Sequence, residues 1–147
     1  MATTYSFLET QCNINGPGGS VNLAAGAAVA EEGITIEASE DIDTMTVGAD
    51  GTPMHSLHAN KSGRVIVRLL KTSPVNQQLA QMYAFQTASG ANHGQNTISL
   101  VQTQSGDSIT CQAVAFQRAP TITYNKEGAV NEWTFNAGII DRALGAY

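Results

Sequence analysis

Charged side chains are scarce in this sequence of 147 residues. Asp, Glu, Lys and Arg together make up 13% of it, against roughly 25% in an average soluble domain. A monomer normally keeps a more charged exterior for solubility, whereas small and neutral polar residues are abundant here. We therefore expect a neutral, polar surface, part of which is buried against further copies of the chain.

Basic residues are the scarcer of the two charge types. Seven Lys and Arg stand against twelve Asp and Glu, which gives a net charge of −5. Proteins that bind nucleic acid neutralise its phosphates with a basic surface. The excess of acidic over basic residues therefore argues against conventional DNA binding. Six of the acids lie between Glu31 and Asp43, a stretch without Lys or Arg. They either protect a solvated sheet edge or serve a purpose that needs negative charge.

Cysteines and long apolar runs are also few. Cys12 and Cys111 lie in separate strand-like segments, and such residues are more often small core side chains than a disulfide or a metal pair. No run approaches the about 18 apolar residues that cross a bilayer, and no basic-then-apolar leader opens the sequence. We expect neither a structural disulfide nor membrane insertion, and a protein kept in the cytosol.

Recognisable chemistry is missing as well. No nucleophile stands in a known elbow and no glycine-rich stretch has phosphate-binding spacing, so we expect no enzyme activity and no cofactor. His55 and His58 have the spacing of paired metal ligands, with His93 as a possible third. Without a nearby Cys or a positioned carboxylate, polar contacts are favoured over a metal site.

A small binding barrel for a saccharide or peptide is a further alternative. It would present a cluster of aromatic residues on one face. The sequence has one Trp, four Tyr and four Phe, and Trp133 and Phe135 fall on an alternation that is typical of a core. That face is therefore predicted to be interior.

What the sequence does contain is a series of strand-like segments with one helix. The segment 24–30 is a loop or a weak helix, and its glycines favour the loop. In the last strand Trp133, Phe135, Ala137 and Ile139 share one face. The other predicted strands are 4–14, 20–24, from 34, 44–47, 64–70, 96–104 and 108–118, with an N-terminal hairpin turning at 15–19.

The helix is predicted over 74–88. Ser73 and Pro74 are typical of an N-cap followed by proline at the first helical position. One face of this helix carries Val75, Leu79, Met82, Tyr83 and Gln86. Runs of strands with a lone helix indicate a single mainly β domain over residues 1–147, a β-sandwich or barrel flanked by one α-helix.

A polar excursion at about 48–63 separates two of the strands. It opens on the turn signal Asp50-Gly51 and is longer than a compact domain usually keeps without a use. We expect a long loop or hairpin whose surface makes contacts with other molecules.

Several stretches together carry a resemblance that covers nearly the whole chain. The sequence resembles the tail tube protein of contractile-tailed bacteriophages, of the myovirus or prophage type. The likeness is strongest in the central block, where GADG is followed by MHSLH, KSG and LLKTSPVN. The stretches are YSF, NGPGGS, GAAVAEEGITIE, DTMTVGADGTPMHSLHANKSGRVIVRLLKTSPVNQQL, HGQNTISL and NEWTFNAGIID.

The resemblance implies a fold related to the type VI secretion tube protein and a structural role in the virion. Hexameric rings would stack into the inner tail tube, a conduit for DNA ejection, assembled in the host cytoplasm. The implied partners are the tail sheath, baseplate, tape measure and tail terminator proteins. The alternative is the inner tube of a phage-tail-like contractile injection system that delivers effectors, and the sequence does not separate the two.

The resemblance also gives two sets of candidate residues. Six copies at −5 each give a ring a formal charge of −30, which would let DNA slide through without sticking. Histidines at an interface would make assembly sensitive to pH. The candidates for lumen or lumen-rim charge are Glu37, Glu40, Asp41 and Asp43; those for inter-ring or subunit contact are Asp50, Gly51, His55, His58 and Lys61.

Overall fold

The computed structural model describes residues 3–24 and 29–146, with every side chain in these ranges except those of residues 30–32. The predicted mainly β fold with one helix is confirmed. The segment predicted as a loop at 24–30 lies largely outside the described residues. After a 3-10 turn at Phe7–Glu9 the elements are β1 (Thr10–Gly16), β2 (Gly19–Asn22), β3 (Val29–Ala38), β4 (Asp43–Val47), β5 (Pro53–Leu57), β6 (Gly63–Leu70), α1 (Val75–Thr87), β7 (Asn96–Gln102), β8 (Asp107–Arg118), β9 (Val130–Ala137) and β10 (Ile139–Ala143).

The strands form two antiparallel layers that share β8. The first layer has the order β2-β1-β7-β8-β10, and β10 pairs with residues 108–112 of β8. The second layer has the order β8-β9-β6-β3, and β9 pairs with β8 from Ala115 onward. The strands β4 and β5 form a separate two-stranded sheet. A single strand therefore belongs to both layers of the sandwich.

The passage between the layers takes place at Ala113 and Gly138. Ala113 has a φ of 53°, in the left-handed region that residues other than glycine seldom adopt. The backbone N–H of Gly138 donates to the carbonyl of Gln112 at 3.0 Å. A Cβ on Gly138 would approach the Cβ of Ala113 to 2.9 Å, closer than real side chains pack. The two segments around Ala113 and Gly138 thus turn side by side, and position 138 requires glycine.

The strand order of the described residues does not close on itself. It runs from β2 at one end to β3 at the other, and these two strands do not pair with each other. A single copy of the chain is therefore a sandwich, and of the two architectures predicted from the sequence, the closed barrel is not formed within the described part of one chain.

The core lies between the layers and follows the predicted alternation. Val65, Val67 and Leu69 of β6 are fully buried, whereas Arg64 and Leu70 are exposed. Phe116 of β8 lies at the centre of an aromatic cluster with two residues of β9. Its ring centroid is 4.9 Å from that of Phe135 and 5.9 Å from that of Trp133. Pairs of this kind are worth about 0.5–1.5 kcal/mol beyond the area they bury.

The helix α1 closes one end of the sandwich with the face that the sequence predicts. Its buried residues are Val75, Leu79, Met82 and Gln86. The helix begins one residue later than predicted, because Pro74 is the N-cap, in helical conformation, and Ser73 Oγ accepts a hydrogen bond from the N–H of Val75 at 3.3 Å.

A buried pair of amides joins the helix to the sheet. Gln86 Nε2 donates to Asn96 Oδ1 at 2.7 Å, and Asn96 Nδ2 donates to Gln86 Oε1 at 2.6 Å. Gln86 Nε2 also donates to the carbonyl of Pro17. A Cβ on Gly16 would collide with the Asn96 side chain. The pair therefore fixes α1, β7 and the β1–β2 turn in one arrangement.

The C-terminal strand differs from its prediction. Trp133, Phe135 and Ala137 face the core as expected, but the chain breaks at Gly138 and continues as β10. The break shifts the alternation by one residue, so Ile140 is buried and Ile139 is exposed. The prediction that Ile139 shares the core face was wrong, because the change of layer at Gly138 interrupts the period of two.

The two cysteines are buried and free. They lie on β1 and β8, with β7 between them, which places their backbones about 10 Å apart, too far for a disulfide. Burial raises the pKa of the Cys12 thiol to about 12 and raises that of Cys111 as well. Both thiols are therefore protonated core groups at neutral pH.

Candidate assembly surfaces

A projecting segment, residues 39–62, extends from the second layer between β3 and β6; we call it the arm. It contains the hairpin β4–β5, whose strands pair only with each other among the described residues. Every residue from Ala38 to Lys61 is exposed except Ser56, which is half-buried. The loop or hairpin predicted at about 48–63 is thus part of a longer projecting segment, because β4 (Asp43–Val47) is itself one strand of the hairpin.

The exposed hairpin carries large apolar side chains on both faces. Met45, Val47 and Leu57 lie on one face by the pairing register, and Met54 lies on the other. Leu57 is 82% exposed and Met54 is 59% exposed. An isolated two-stranded hairpin is marginally stable in water. Exposed apolar surface of this kind is typical of interaction sites, which makes the hairpin a candidate for one.

The tip of the arm is a well-ordered turn. The N–H of Gly48 donates to the carbonyl of Thr52 at 2.9 Å, and the N–H of Thr52 donates to Asp50 Oδ1 at 3.0 Å. This last hydrogen bond lowers the pKa of the Asp50 carboxyl. Gly51 has a φ of 87°, which a residue with a side chain adopts at a cost. The predicted Asp50-Gly51 turn therefore presents a fixed negative charge.

The two histidines of the arm have partners within it. His55 Nδ1 lies 3.0 Å from Asp43 Oδ2, across the hairpin. His58 Nε2 lies 2.8 Å from Thr44 Oγ1. His93 lies apart from both, after α1 in the chain, and no three metal-ligating side chains converge anywhere in the described residues.

The base of the arm is held by side chains of its two legs. Ser39 and Ser62 share a hydrogen bond of 2.8 Å between their hydroxyls, and Asn60 Nδ2 donates to Glu40 Oε1 at 2.9 Å. The five interface candidates thus lie on one element, with Asp50 and Gly51 at its tip and Lys61 at its base. They are spread along the arm and do not form one cluster.

The four lumen candidates separate into two places. Glu40, Asp41 and Asp43 lie on the arm, all exposed. Glu37 lies on the outer face of the second layer, where its Oε1 is 2.8 Å from Nη2 of Arg64. On the same face, Arg68 Nε is 3.4 Å from Oε2 of Glu132. We call this surface the charged face, and its charges are largely paired.

The outer face of the first layer has no such pairs; we call it the neutral face. Among the described residues of its five strands, Asp141 is the only charged side chain that the register places on this face. The predicted site residues do not include this surface, although the alternating amides of β1 indicate it. Its polar residues are Gln11, Asn13 and Asn15 of β1, Ser20 and Asn22 of β2, Thr97 and Ser99 of β7, and Ser108, Thr110 and Gln112 of β8.

A second exposed apolar area lies at the end of β6 that is remote from the arm. We define it as Leu70, Lys71 and residues 118–130 and call it the distal surface. Leu70 pairs with Val130, and both are exposed. Ile122 is 58% exposed and Tyr124 is 84% exposed. The predicted site residues do not include this surface either, although apolar residues alternate with threonine at 121–124.

Lys71 fixes the loop of the distal surface to the end of β6. Its Nζ donates to the carbonyl of Thr123 at 2.7 Å and lies 3.9 Å from the ring centroid of Tyr124. A cation over an aromatic ring stabilises by about 0.5–1 kcal/mol at an exposed site. The loop therefore presents its apolar side chains in a defined arrangement.

Within the described residues, no helix is both long enough and apolar enough to span a membrane.

Comparison with known proteins gives a family and a fold. The profile of the family described as bacteriophage PhiTE tail tube protein matches residues 1–145. No curated protein matches the chain.

Solved structures of similar fold come from contractile particles. The anti-feeding prophage baseplate contains a chain with a TM-score of 0.63 and 8% identity, over 97% of both chains. A chain of the anti-feeding prophage tube terminating cap matches with a TM-score of 0.54 and 11% identity, over 99% of this chain and 95% of that one. The sheath-tube complex of an extracellular contractile injection system in the extended state gives 0.50 and 9%, over 91% and 88%. At these identities the likeness concerns the fold alone.

Proposed function

The chain belongs to the bacteriophage PhiTE tail tube protein family, and on this premise we propose that its copies form hexameric rings that stack into the hollow inner tube of a contractile tail. The tube would be a conduit for DNA ejection. The observation that carries the proposal is the family match, which spans residues 1–145.

The surface of the subunit supports assembly from many copies. Charged residues make up only 13% of the chain, and the arm exposes apolar side chains that the described part of the subunit does not cover. The open edges of β2 and β3 are an aggregation hazard unless they are paired or covered. Closure of a ring would remove such edges, and strands from six subunits would then form one inner barrel.

We assign the charged face to the channel wall, because Glu37 lies on it. The ion pairs Glu37–Arg64 and Arg68–Glu132 neutralise four charges of this face. Arg118, opposite Thr134 at the end of β8, is the one further charge that the described register places there, so little net charge remains to attract phosphate along the wall. Glu40, Asp41 and Asp43 would then form an acidic rim where the arm leaves the second layer. DNA would be repelled at the rim and would slide along a wall to which it does not bind.

The same role sets the partners and the location that we propose. The tube would contact the tail sheath outside, the baseplate and the terminator at its ends, and the tape measure protein inside. It would be part of the virion and be assembled in the host cytoplasm. The subunit would act as a structural protein, without catalysis, cofactor or metal.

Assembly can be observed directly by negative-stain electron microscopy of the purified protein over a concentration series, with light scattering on the same samples. We expect rings or hollow tubes with sixfold end views. Monodisperse monomers at every concentration, or rings of another symmetry, would contradict the proposal.

The arm is tested by deleting residues Gly51 to Leu57, which removes β5. We expect a folded subunit that no longer forms tubes, because β4 loses its partner strand while the sandwich is untouched. Circular dichroism and thermal melting check the fold. Tubes of normal length from the deletion variant would refute an assembly role for the arm.

The rim is tested by the double substitution Glu40→Lys and Asp43→Lys. We expect tubes that retain DNA in a filter-binding assay, whereas wild-type tubes do not. Normal assembly together with unaltered DNA delivery would contradict a lumen-rim role of these acids.

An inner tube that delivers effectors is the second candidate function. It is favoured by the three structural neighbours, whose sources are an anti-feeding prophage and an extracellular contractile injection system. Isolated particles that contain this chain distinguish the two. Nuclease-protected DNA in a head attached to the tube supports the conduit for DNA, and headless particles that carry protein cargo support the alternative.

A further inference from the structure

We propose that a cleft beside β9 binds a phosphate oxyanion through Arg118 and Thr134, and that in the tube the phosphodiester backbone of passing DNA occupies this cleft. The inference deepens the proposed function, from which it takes the position of the charged face on the channel wall. It adds one weak contact per subunit to a wall that is otherwise neutral, so DNA is slowed at this site and is not held.

The cleft forms because the chain leaves the sheet after β8. The register of β8 with β9 shifts between Phe116 and Arg118 and ends at the pair Arg118–Thr134. Pro120 follows, and it has no N–H to donate to a neighbouring strand. The chain at 119–121 therefore does not pair with β9, and a cleft of about 340 Å³ lies between them. Its polar lining consists of Arg118, Thr121, Glu132 and Thr134.

Arg118 supplies the positive charge of the cleft. The residue is exposed, and its guanidinium group donates no hydrogen bond and forms no ion pair within the described part of the chain. A break of register in a strand re-aims the side chains beside it, and here it brings Arg118 opposite Thr134. A guanidinium group is a planar fork of donors that matches two oxygens of a phosphate. These donors are therefore available to a ligand in the cleft.

Thr134 supplies a hydroxyl to the same cleft. It alternates with Trp133 and Phe135, which face the core, so it lies on the outer face of the second layer. Even so, it is only 8% exposed. Its hydroxyl has no hydrogen-bond partner among the described residues, and a nearly buried polar group without a partner costs free energy. An oxyanion in the cleft would accept the hydroxyl proton and remove this cost.

Glu132 also lines the cleft, and its carboxylate would repel an anion. Its Oε2 is 3.4 Å from Nε of Arg68, so this ion pair carries no net charge and Arg118 sets the sign of the cleft. A single positive charge suits a ligand with a single negative charge. Each phosphodiester of DNA carries one negative charge, whereas a free phosphate ion carries more than one at neutral pH. The balance of charges therefore favours the DNA backbone as the source of the oxyanion.

The position of the cleft gives this contact a role. Thr134 pairs with Ile66 of β6, three residues along that strand from Gly63, where the arm ends. Three residues of strand extend about 10 Å, so the cleft lies close behind the acidic rim. A ring of six subunits would then present six such contacts at one level of the channel. DNA that has passed the rim would be slowed at this level.

Phosphorus NMR of small ligands tests the site, because broadening of a ligand signal reports binding to subunits and tubes alike. Three probes distinguish the sources of the oxyanion. They are dimethyl phosphate, which represents the DNA backbone, inorganic phosphate, and the uncharged trimethyl phosphate. Arg118→Gln removes the guanidinium fork. Arg142→Gln, at another exposed position, is the matched control, because it changes the net charge by the same amount.

We expect the wild type and Arg142→Gln to broaden the signal of dimethyl phosphate. Arg118→Gln should weaken this binding about tenfold, because it removes a charge-assisted hydrogen bond. Arg118→Lys keeps the charge without the planar fork and should weaken binding less. Thr134→Val should also weaken it, whereas Thr134→Ser, which keeps the hydroxyl, should retain it. Circular dichroism checks that each variant is folded.

Three results would overturn the proposal. Equal broadening by the wild type and Arg118→Gln, or no broadening by the wild type, would remove the site. Equal broadening of trimethyl phosphate would show that the contact does not recognise an oxyanion. Binding of inorganic phosphate without binding of dimethyl phosphate would exclude the DNA backbone as the ligand.

The outcomes distinguish this inference from the proposed function. Binding of dimethyl phosphate that depends on Arg118, without sixfold rings in the microscope, would leave the phosphate site standing and remove the hexameric tube. Sixfold tubes that do not bind dimethyl phosphate would leave the tube standing and remove this site.

Discussion

The sandwich and the arm are made from similar strands, yet they differ in what holds them. In the sandwich, a strand such as β6 has one face buried, which carries Val65, Val67 and Leu69. In the arm the strands β4 and β5 are exposed on both faces. The hydrogen bonds of both regions are regular. Backbone pairing and exposed side-chain hydrogen bonds therefore give the arm its shape, and burial gives the sandwich its stability.

This difference separates folding from assembly within one chain. Changes in the sandwich are expected to alter the free energy of unfolding of the subunit. Changes in the arm are expected to alter association and to leave the subunit folded.

The largest effect on stability is expected from Phe135→Ala. Phe135 is fully buried against Phe116, and removal of such a ring costs about 3–5 kcal/mol. The matched arm variant is Leu57→Ala, which is expected to change the free energy of unfolding by less than about 0.5 kcal/mol while it lowers the assembled fraction. Urea denaturation of the unassembled subunit and light scattering measure the two effects. Similar destabilisation by both variants would remove the distinction.

The amide pair gives the next effect. Asn96→Ala leaves the buried Gln86 amide without its reciprocal partner, which costs about 1–3 kcal/mol. Asn13→Ala, in the exposed part of β1, is the control and is expected to be nearly neutral. Equal denaturation midpoints for the two variants would show that the buried pair contributes nothing specific.

Alkaline pH should destabilise the sandwich through Cys12. Its pKa is raised to about 12 in the folded state, whereas an unfolded thiol titrates near 9. Between these values the unfolded chain has released a proton that the folded chain keeps, so stability is fully present below about pH 9 and falls as pH rises towards 12. The loss is at most about 1.4 kcal/mol per pH unit. Cys12→Ala should show a shallower slope, because only Cys111, whose pKa is also raised, then remains of the two thiols. Parallel stability curves of the two proteins between pH 9 and 12 would contradict this prediction.

The smallest effect is expected on the arm, at its histidines. His55 Nδ1 lies 3.0 Å from Asp43 Oδ2, and both side chains are well exposed, so this contact adds at most about 1 kcal/mol to stability. We expect His55→Gln to change the free energy of unfolding of the subunit by less than about 0.5 kcal/mol in urea denaturation. A larger loss would show that the arm contributes to the stability of the sandwich.

The sequence predicts well those elements whose side chains alternate between core and solvent. The buried face of α1 and the alternation in β6 follow from periodicity, because one face of each is covered. The Asp50-Gly51 turn follows from local backbone chemistry. For the site, the sequence identifies the segment that projects. It does not show where the hairpin begins, because β4 and β5 have no buried face and so no alternation of apolar and polar residues.

Other features depend on contacts between residues far apart in the chain. The change of layer at Gly138 is set by Ala113 in another strand, so the shift from Ile139 to Ile140 is invisible in the local pattern. The distal surface joins the end of β6 to a loop about fifty residues later, through Lys71 and Thr123. Neither stretch alone indicates that it forms part of one surface.

The passage of β8 through both layers also has a mechanical consequence. A load applied along this strand cannot be released by letting one sheet slide over the other, because the same covalent backbone runs through both. The load is shared by the hydrogen bonds of β7, β9 and β10 acting in shear. Tension along β8 is therefore transmitted to both layers of the sandwich at once.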